Sequence, residues 1–482
     1  MTDLFDVAVL VPALPLLGAG LAALVASPAL GAGIAITAAA GAFLAACALP
    51  WHLQATTFVL VDPLSAHVTL LTAFVGLTST IFSAGYIRRE LAAGRLDPPR
   101  VRQYHGLMLA FLGFMLLALL SNNMGLTWVA LEAATIASVL VVGLPRTENA
   151  VEASWKFFLI CGVGIALALF GTIVLYLAAL PALGSGYGAM SWSELARAAP
   201  ACRGTLLNLA FVFLLVGYGT KAGLAPLHGW MPDAHAEGPT PVSAVLSGSV
   251  LNVALVVILR LRTIMAANAD AIAPGPPIMA LGLLSLLLAA FSLWGRRDVK
   301  RFFAFSTIEQ SGLAAFAFGL GGPAAIFAGL LHMTVHTLAK AALFQCVGRA
   351  AQQKGAQSFA AIAGLLRSDR ALGLTLAAAI VAVAGLPPFG LFASEVIILG
   401  EAVRLHAWLA PLVVLGLVVG GWALAARLIS LCLGAPTPGP AQPMGRLALL
   451  PAWLHLAVVL LLGVAMPAAT FAWLTAAAGV VR

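Results

Sequence analysis

The sequence predicts an all-α, polytopic membrane protein of about fourteen transmembrane helices. Hydrophobic residues make up 62% of the 482 residues and charged residues 9%, whereas soluble proteins have about 45–50% and about 25%. Apolar runs of about 20 residues, each long enough to cross a hydrocarbon core of about 30 Å, recur along the whole chain. Their centres lie near residues 16, 39, 75, 112, 133, 167, 215, 250, 286, 311, 336, 386, 418 and 463. The polar connections are too short to fold alone, which excludes a separate soluble catalytic domain.

Basic residues are concentrated in the loops on one side of the predicted membrane. The net charge of +8 therefore does not indicate a nucleic-acid partner. With the N-terminus placed outside, the inner loops hold Arg88, Arg89, Arg95, Arg100, Arg102, Arg146, Arg296, Arg297, Lys300, Arg301, Arg349, Lys354, Arg367, Arg370 and Arg446, and the outer loops hold Arg197, Arg203, Arg260, Arg262, Arg404 and Arg482. Because Lys and Arg accumulate on the cytoplasmic side of membrane proteins, we expect both termini on the non-cytoplasmic side. Asp3 and Asp6 stand where a signal peptide carries basic residues, which favours a first span.

Two similar segments, "KAGLAPLHGW" at 221–230 and "VAGLPPFGLF" at 383–392, indicate an internal repeat. Proline interrupts a helix, so we expect one break at Pro226 and another at Pro387–Pro388. Matching interrupted helices are typical of transporters built from inverted repeats. We therefore predict N-terminal helices 1–3 in residues 1–100, one five-helix repeat (helices 4–8) in 101–262, an inverted second repeat (helices 9–13) in 263–435, and helix 14 in 436–482. The alternative is that Gly and Pro are simply frequent in membrane helices.

Four ionisable residues lie within predicted spans: Glu132, Lys221, Lys340 and Glu395. A charge at membrane depth costs roughly 3 kcal/mol on insertion scales, so these positions indicate a transport function. A carboxylate that approaches a buried lysine changes how tightly the lysine holds its proton. Glu132 is therefore expected to switch Lys221 between loading and releasing a proton. A purely structural ion pair is the alternative.

Further polar residues surround these four. His332, His336 and Lys340 follow at intervals of four on one helix face, which favours a proton relay, although packing histidines are the alternative. Asp233, His235 and Glu237 alternate on a predicted connection and are expected to shape a cytoplasmic opening or satisfy open backbone, with a metal site as the weaker alternative. Lys300 is interpreted as an anchor that snorkels to the membrane surface. Glu309 follows Glu132 by five spans and is a candidate counterpart. His228 lies in the first break.

The motifs "TKAGLAPLHGWMPDAHAEGPTPVSAVLSG", "DVKRFFAFSTIEQSG", "HMTVHTLAKAALF" and "GLPPFGLFASE" resemble the antiporter-like proton-channel subunits of respiratory complex I, membrane-bound nickel–iron hydrogenases and multisubunit cation/proton antiporters. The resemblance covers roughly residues 60–430 and is strongest to hydrogenase-4 component F. It implies that Glu132 is the glutamate of the fifth helix, Lys221 the lysine of the broken seventh, and Lys340 with its preceding histidines the relay of the eleventh. Glu395 would be the charged residue of the broken twelfth. One departure is Asn252, since many members carry Lys or His on the eighth helix.

The resemblance implies a proton-translocating subunit of a complex-I-like redox assembly in a bacterial or archaeal cytoplasmic membrane. Partners would be other membrane subunits and a peripheral redox module. No nucleotide-binding glycine motif precedes a helix and no cysteines are paired in spacing, so we expect no metal or cofactor in this chain and iron–sulfur, nickel or flavin only in partner subunits. The alternatives are a subunit of a multisubunit Na⁺(K⁺)/H⁺ antiporter and an inert membrane anchor, which Asn252 would favour because it cannot titrate.

Overall fold

A computed structural model describes residues 6–437 and 446–481. Within them, twelve helices are long and apolar enough to cross a membrane. The chain is therefore an all-α, multi-pass membrane protein, as its composition predicts. Each of the fourteen predicted apolar segments corresponds to a helix or to a broken helix pair. Asp3, Arg482 and the side chain of Arg446, which entered the charge argument above, lie outside the described residues.

The helices that build the membrane bundle follow one another with short connections. In chain order they are α1 (Val7–Leu24), α2 (Pro28–Ala48), α3 (Pro63–Ala92), α4 (Pro98–Leu120), α5 (Met124–Val142), α6 (Glu148–Leu183), α7 (Trp192–Ala198), α8 (Gly204–Lys221), α9 (Trp230–Glu237), α10 (Thr240–Val245), α11 (Leu251–Ala266), α12 (Gly275–Ser292), α13 (Val299–Leu320), α14 (Gly322–Lys354), α15 (Leu365–Ser368), α16 (Arg370–Val383), α17 (Gly390–His406), α18 (Ala410–Leu428), α19 (Leu450–Val464) and α20 (Ala468–Gly479). A two-stranded antiparallel sheet of β1 (Gln54–Ala55) and β2 (Leu60–Val61) precedes α3. The π-helical turn Leu246–Val250 joins α10 to α11.

Polar caps fix where α3 begins. The Asp62 carboxylate accepts a hydrogen bond from the Ser65 backbone at 2.7 Å, and the Ser65 hydroxyl accepts one from the Asp62 backbone at 3.0 Å, which is a capping box. Asp62 also pairs with Arg260 of α11 at 2.9 Å. Burial alone would raise the pKa of Asp62, but the Arg260 guanidinium and the Ser65 hydrogen bonds together hold it below its usual value. The pair ties the start of α3 to α11.

Both predicted breaks are present, and they share one local structure. α8 ends at Lys221 and α9 begins at Trp230; α16 ends at Val383 and α17 begins at Gly390. Gly223 and Gly385 both lie in the left-handed region, with φ of +69° and +64°, where glycine carries no steric penalty. The following Leu-x-Pro contains a cis peptide bond each time, at Ala225–Pro226 and at Pro387–Pro388. The repeat motif therefore encodes one geometry twice, while the full extent of the two repeats stays a prediction.

The centre of the bundle is formed by α14 and by the span of α10 and α11. The most apolar stretch of α14 is 94% buried and that of the α10–α11 span is entirely buried. Small residues allow close approach of other spans: a Cβ at Gly312 of α13 would lie 2.7 Å from the Gly282 carbonyl oxygen of α12, so glycine is required there. The ionisable residues of the sequence analysis lie on and around these central helices.

Several basic residues gather where α3 and α14 end. This end carries Arg88 and Arg89 of α3, Arg349 of α14 and, at the start of α13, Lys300 and Arg301. We call it the basic end of the bundle. α3 and α14 meet there, because Gln352 donates hydrogen bonds to the Tyr86 carbonyl at 3.1 Å and to Glu90 at 2.6 Å.

Candidate functional site

The first break carries a buried ion pair. Lys221 is the last residue of α8 and is 2% exposed. Its Nζ lies 3.3 Å from the Glu132 carboxylate of α5 and donates a hydrogen bond to the Thr135 hydroxyl. The Glu132 side chain is 20% exposed. The structure thus brings together the two residues that the sequence analysis paired, with the lysine enclosed and the glutamate reaching the surface.

Neighbouring spans hold the backbone of this break. The Ser311 hydroxyl of α13 donates to the Ala222 carbonyl at 2.9 Å, and the Ala225 N–H donates to the Ser285 hydroxyl of α12 at 2.8 Å. The Trp230 indole donates to the Thr220 carbonyl at 2.9 Å. Broken backbone inside a membrane needs such partners. These neutral groups leave Lys221 as the charged group at the break, with Glu132 as its counter-charge.

A second cluster surrounds α14. Lys340 is fully buried, and its Nζ donates to the Phe303 carbonyl at 2.9 Å. Glu309 of α13 lies within electrostatic reach of Lys340 and of Glu395. A Cβ at Gly420 of α18 would overlap the Glu309 carboxylate. Glu309, interpreted as a counterpart of Glu132, therefore lies near a buried lysine as Glu132 does.

Glu395 belongs to the second break, although it follows the break along the chain, whereas Lys221 precedes its own. The carboxylate lies against Gly385, where a Cβ would overlap it. In the repeat motif, Val383 occupies the position that corresponds to Lys221. The two breaks thus have the same backbone conformation but different ionisable residues. The first has a lysine before the break, and the second has a glutamate after it.

The relay histidines share one face of α14, as their spacing predicts. The rings of His332 and His336 are buried and stack nearly parallel, with centroids 6.1 Å apart and an interplanar angle of 5°. A ring nitrogen of His332 lies 2.9 Å from the Ser394 hydroxyl of α17. This contact connects the relay to the helix that carries Glu395.

Asn252 connects α11 to α14 near the middle of the bundle. Its side-chain amide donates to the Thr337 hydroxyl at 2.8 Å. A second polar contact joins the Ser247 hydroxyl to the Thr307 hydroxyl of α13 at 2.8 Å. Ser247 lies in the π-helical turn, a feature frequent at functional sites. Among the described residues no direct side-chain hydrogen bond joins Lys221 to Asn252. The two clusters are therefore separate charge centres with a neutral polar region between them.

The structure corrects the placement of Asp233, His235 and Glu237 on a connection. They lie on helix α9, so alternate positions do not share a face and i, i+4 positions do. Asp233 and Glu237 both face Arg301 of α13, at 3.3 and 3.4 Å, and Asp233 also pairs with Lys156 of α6 at 3.1 Å. His235 points the other way and stacks on Phe344 at 5.0 Å. These contacts form an ion-pair network at the basic end.

The interpretation of Lys300 as a snorkelling anchor is wrong. Lys300 is 4% exposed, and its Nζ donates to the Gly238 carbonyl at 2.9 Å. The carbonyl is freed where α9 ends, so the lysine caps that end. Burial raises the pKa of Asp298 in the loop just before α13.

His228 lies within the first break. Its Nδ1 is buried without a hydrogen-bond partner, and its ring lies 6.4 Å from that of Phe305. No three His, Cys, Asp or Glu side chains in the described part of the chain are grouped so that they could hold a metal ion.

Two cross-span histidine contacts were missed at the sequence level. A ring nitrogen of His67 on α3 lies 2.8 Å from the Thr334 hydroxyl of α14, and one of His455 on α19 lies 2.7 Å from the Thr78 hydroxyl of α3. Both histidines were visible as polar residues within apolar runs. Their partners were not visible, because a sequence does not show which spans are neighbours.

The structure is a bundle of membrane helices in which two spans are broken and ionisable residues lie beside each break. This architecture is typical of membrane transporters with discontinuous helices. Comparison with known proteins gives the family. Residues 121–420 match the NADH:quinone oxidoreductase/Mrp antiporter transmembrane family. The hydrogenase-4 component F homolog of Methylacidiphilum infernorum is 48% identical over 417 residues, which are 86% of this chain and 87% of that protein.

Two further relatives agree. NADH-quinone oxidoreductase subunit 14 of Thermus thermophilus is 30% identical over 414 residues, or 85% of this chain and 86% of that protein. A chain of the archaeal membrane-bound sulfane sulfur reductase superposes with a TM-score of 0.86 at 23% identity, covering 98% of this chain and 97% of that one; this likeness shows the shared fold. The chain belongs to the NADH:quinone oxidoreductase/Mrp antiporter transmembrane family, which confirms the resemblance read from its motifs.

Proposed function

We propose that this protein is the proton-translocating membrane subunit of a complex-I-like redox assembly of the membrane-bound hydrogenase or NADH–quinone oxidoreductase type. The observation that carries this most strongly is the Lys221–Glu132 pair at a helix break. Buried ion pairs contribute little net stability, whereas an intramembrane lysine whose counter-charge can move is suited to binding and releasing a proton. The family membership and the relative at 48% identity support the same function.

Protons would enter near Lys221 from the basic end, which we place on the cytoplasmic side, and cross the middle of the bundle through water around Asn252. They would then pass His336 and Lys340 and leave near Glu395. Several polar atoms along this row are buried without a protein partner: Glu309 Oε2, His332 Nε2, His336 Nε2 and Glu395 Oε1. Buried polar groups are satisfied by protein or by ordered water, so this row is suited to a hydrated proton path.

Glu132 would receive the driving signal from a neighbouring membrane subunit. It shares the surface of α5 with Val129, Ile136 and Leu140, whose side chains are exposed. A carboxylate that faces lipid is costly, so another membrane protein is expected to cover this stripe. A conformational change in that neighbour would move Glu132 relative to Lys221 and so change the affinity of Lys221 for its proton.

The redox chemistry would belong to partner subunits. Iron–sulfur, nickel or flavin centres are assigned to a peripheral module, and this chain contributes only the proton path. The assembly would lie in a bacterial or archaeal cytoplasmic membrane, with both termini of this chain on the non-cytoplasmic side, as the distribution of Arg and Lys indicates.

Co-purification tests the proposal. The tagged protein is expressed in its native host, extracted in mild detergent and analysed for its partners. Recovery of a hydrogenase-like or quinone-reductase-like module supports redox-driven translocation. Recovery of small membrane subunits alone contradicts it and favours the cation/proton antiporter of the same fold. Dissipation of a pH gradient in proteoliposomes with and without Na⁺ then separates proton movement, ion exchange and an inert anchor.

A further inference from the structure

A buried guanidinium at the basic end lacks hydrogen-bond partners. Arg349 of α14 is 3% exposed, and its Nε and Nη1 are buried with no acceptor in the described structure. Its described contact is the ring face of Phe82, 5.8 Å from Cζ. A buried charged donor without an acceptor is strongly unfavourable. The guanidinium therefore requires an acceptor that the described part of the chain does not supply.

The charges around Arg349 are mostly positive. Arg88 and Arg89 of α3 and Asp369 lie within electrostatic reach of it. Asp369 is already engaged, since its two carboxylate oxygens accept hydrogen bonds from the Leu372 N–H at 3.1 Å and from the Gln353 amide at 2.8 Å. Three arginines thus face one occupied carboxylate.

The nearby Glu90 does not neutralise the cluster. Its carboxylate accepts hydrogen bonds from Arg95 at 2.6 Å and from Gln352 at 2.6 Å. Its charge is therefore balanced by Arg95, and Arg349 with its two neighbours remains in excess.

The length of α14 and the positions of the arginines near helix ends predict that the cluster lies at the depth of lipid phosphates. α14 has 33 residues and is about 50 Å long, whereas the hydrocarbon core is about 30 Å thick. Arg349 lies close to the end of α14 at Lys354, and Arg88 and Arg89 lie close to the end of α3 at Ala92. Basic pockets between membrane helices are suited to acidic head groups, and a guanidinium binds phosphate through two parallel N–H donors.

We propose that Arg349, Arg89 and Arg88 form a binding site for a phosphate group, presented by the head group of an anionic phospholipid. Arg349 would supply the buried donors at the base of the site, and Arg89 and Arg88 would hold the outward side. Free inorganic phosphate offers the same chemistry and is the other source. The site is separate from the proton row and does not rest on the proposed function.

The test uses the purified full chain in detergent, titrated with phosphatidylglycerol, with phosphatidylcholine and with inorganic phosphate. Retained lipid is counted by native mass spectrometry, and the melting temperature is followed in parallel. We expect phosphatidylglycerol to bind at least about tenfold more tightly than phosphatidylcholine, a difference of about 1.4 kcal/mol, and to raise the melting temperature. Both lipids carry a phosphate, but the trimethylammonium of phosphatidylcholine is repelled by the excess positive charge of the three arginines. A response to inorganic phosphate alone would support the site with free phosphate as its ligand.

Variants make the test specific. Arg349→Gln and Arg89→Gln should each lose the preference for the anion, whereas Arg297→Gln, at an exposed arginine of another loop, should keep it. If Arg349→Gln fails to fold, the half-buried Arg89 still decides the outcome. Equal binding of both lipids by the native protein, with no response to phosphate, overturns the proposal. So does an intact assembly in which a partner's carboxylate occupies Arg349.

Discussion

The Lys221 ammonium lies 3.3 Å from the Glu132 carboxylate, 89 positions earlier in the chain. The lysine is enclosed and the glutamate is one-fifth exposed, so the two partners differ in what can reach them. A molecule at the surface of this chain can contact Glu132 directly, whereas the enclosed Lys221 is out of its reach.

Removing either partner should stop proton translocation. Lys221→Ala deletes the proton-binding group, and Glu132→Ala deletes the group that controls it. Each should lower proton flux by roughly a hundredfold or more, the usual contribution of a positioned proton-transferring group. The measurement is pH-gradient formation in membrane vesicles that contain the whole assembly. Assembly should stay intact, and Lys354→Ala, which removes a lysine bonded to the Thr437 carbonyl at 2.9 Å, is the control. Unchanged flux in both Lys221 and Glu132 variants would refute the roles assigned to them.

Gly420→Ala should displace the Glu309 carboxylate while leaving that residue in the chain. The added Cβ overlaps the Glu309 carboxylate, whereas a Cβ at Gly421 meets only the Ala384 carbonyl oxygen at 3.9 Å. We expect Gly420→Ala to lower both proton flux and thermal stability, because overpacking costs about 1–3 kcal/mol. Gly421→Ala should leave the flux unchanged and keep or slightly raise stability, because alanine favours a helix by roughly 0.5–1 kcal/mol over glycine. Equal flux in the two variants would show that the position of Glu309 is unimportant.

Asn252 provides a test of the neutral middle of the proton row. The Asn252 amide bonds the Thr337 hydroxyl at 2.8 Å. Asn252→Ala leaves space for water, which can replace a lost hydrogen bond, so flux should fall only modestly. Asn252→Leu fills the space with an apolar side chain and should lower flux much more. The two rates are compared in the same vesicles, and a leucine variant as active as the alanine variant would argue against a hydrated path at this point.

The Asp62–Arg260 pair should make stability depend on pH. Because the folded state holds the pKa of Asp62 below its usual value of about 3.9, the pair contributes stability above that value and loses it as the pH falls through the lowered folded pKa. Asp62→Asn keeps a capping oxygen but removes the charge, at a cost of about 1–3 kcal/mol. The difference in melting temperature between native protein and variant should be constant above about pH 5. It should shrink below about pH 4, and a difference that does not change with pH would contradict the assignment.

The sequence predicted the number and order of the apolar segments, both breaks and the Lys221–Glu132 pair. These depend on local composition, on proline and glycine, and on the rarity of charges within spans. It did not predict the burial of Lys300 or the helix at Asp233–Glu237. Lys300 is buried, and its ammonium binds the Gly238 carbonyl at the end of α9. Asp233, His235 and Glu237 were placed on a connection where a short helix is present. The burial of Lys300 and the contacts of α9 depend on which distant spans lie next to each other. The hydrophobic periodicity of a single sequence does not show this.

The contact between Thr78 and His455 has a consequence for how the protein is made. The two residues are 377 positions apart, so at a synthesis rate of about 5–20 residues per second α3 would precede its partner helix by roughly 20–80 s. During that interval the Thr78 hydroxyl can donate a hydrogen bond to the Phe74 carbonyl of its own helix, at 3.0 Å. The hydrogen bond between Thr78 and His455 forms only after α19 has packed against α3. α3 is therefore in the membrane before its late partner has been synthesised, and a ribosome that stops before α19 releases a protein in which α3 lacks this neighbour.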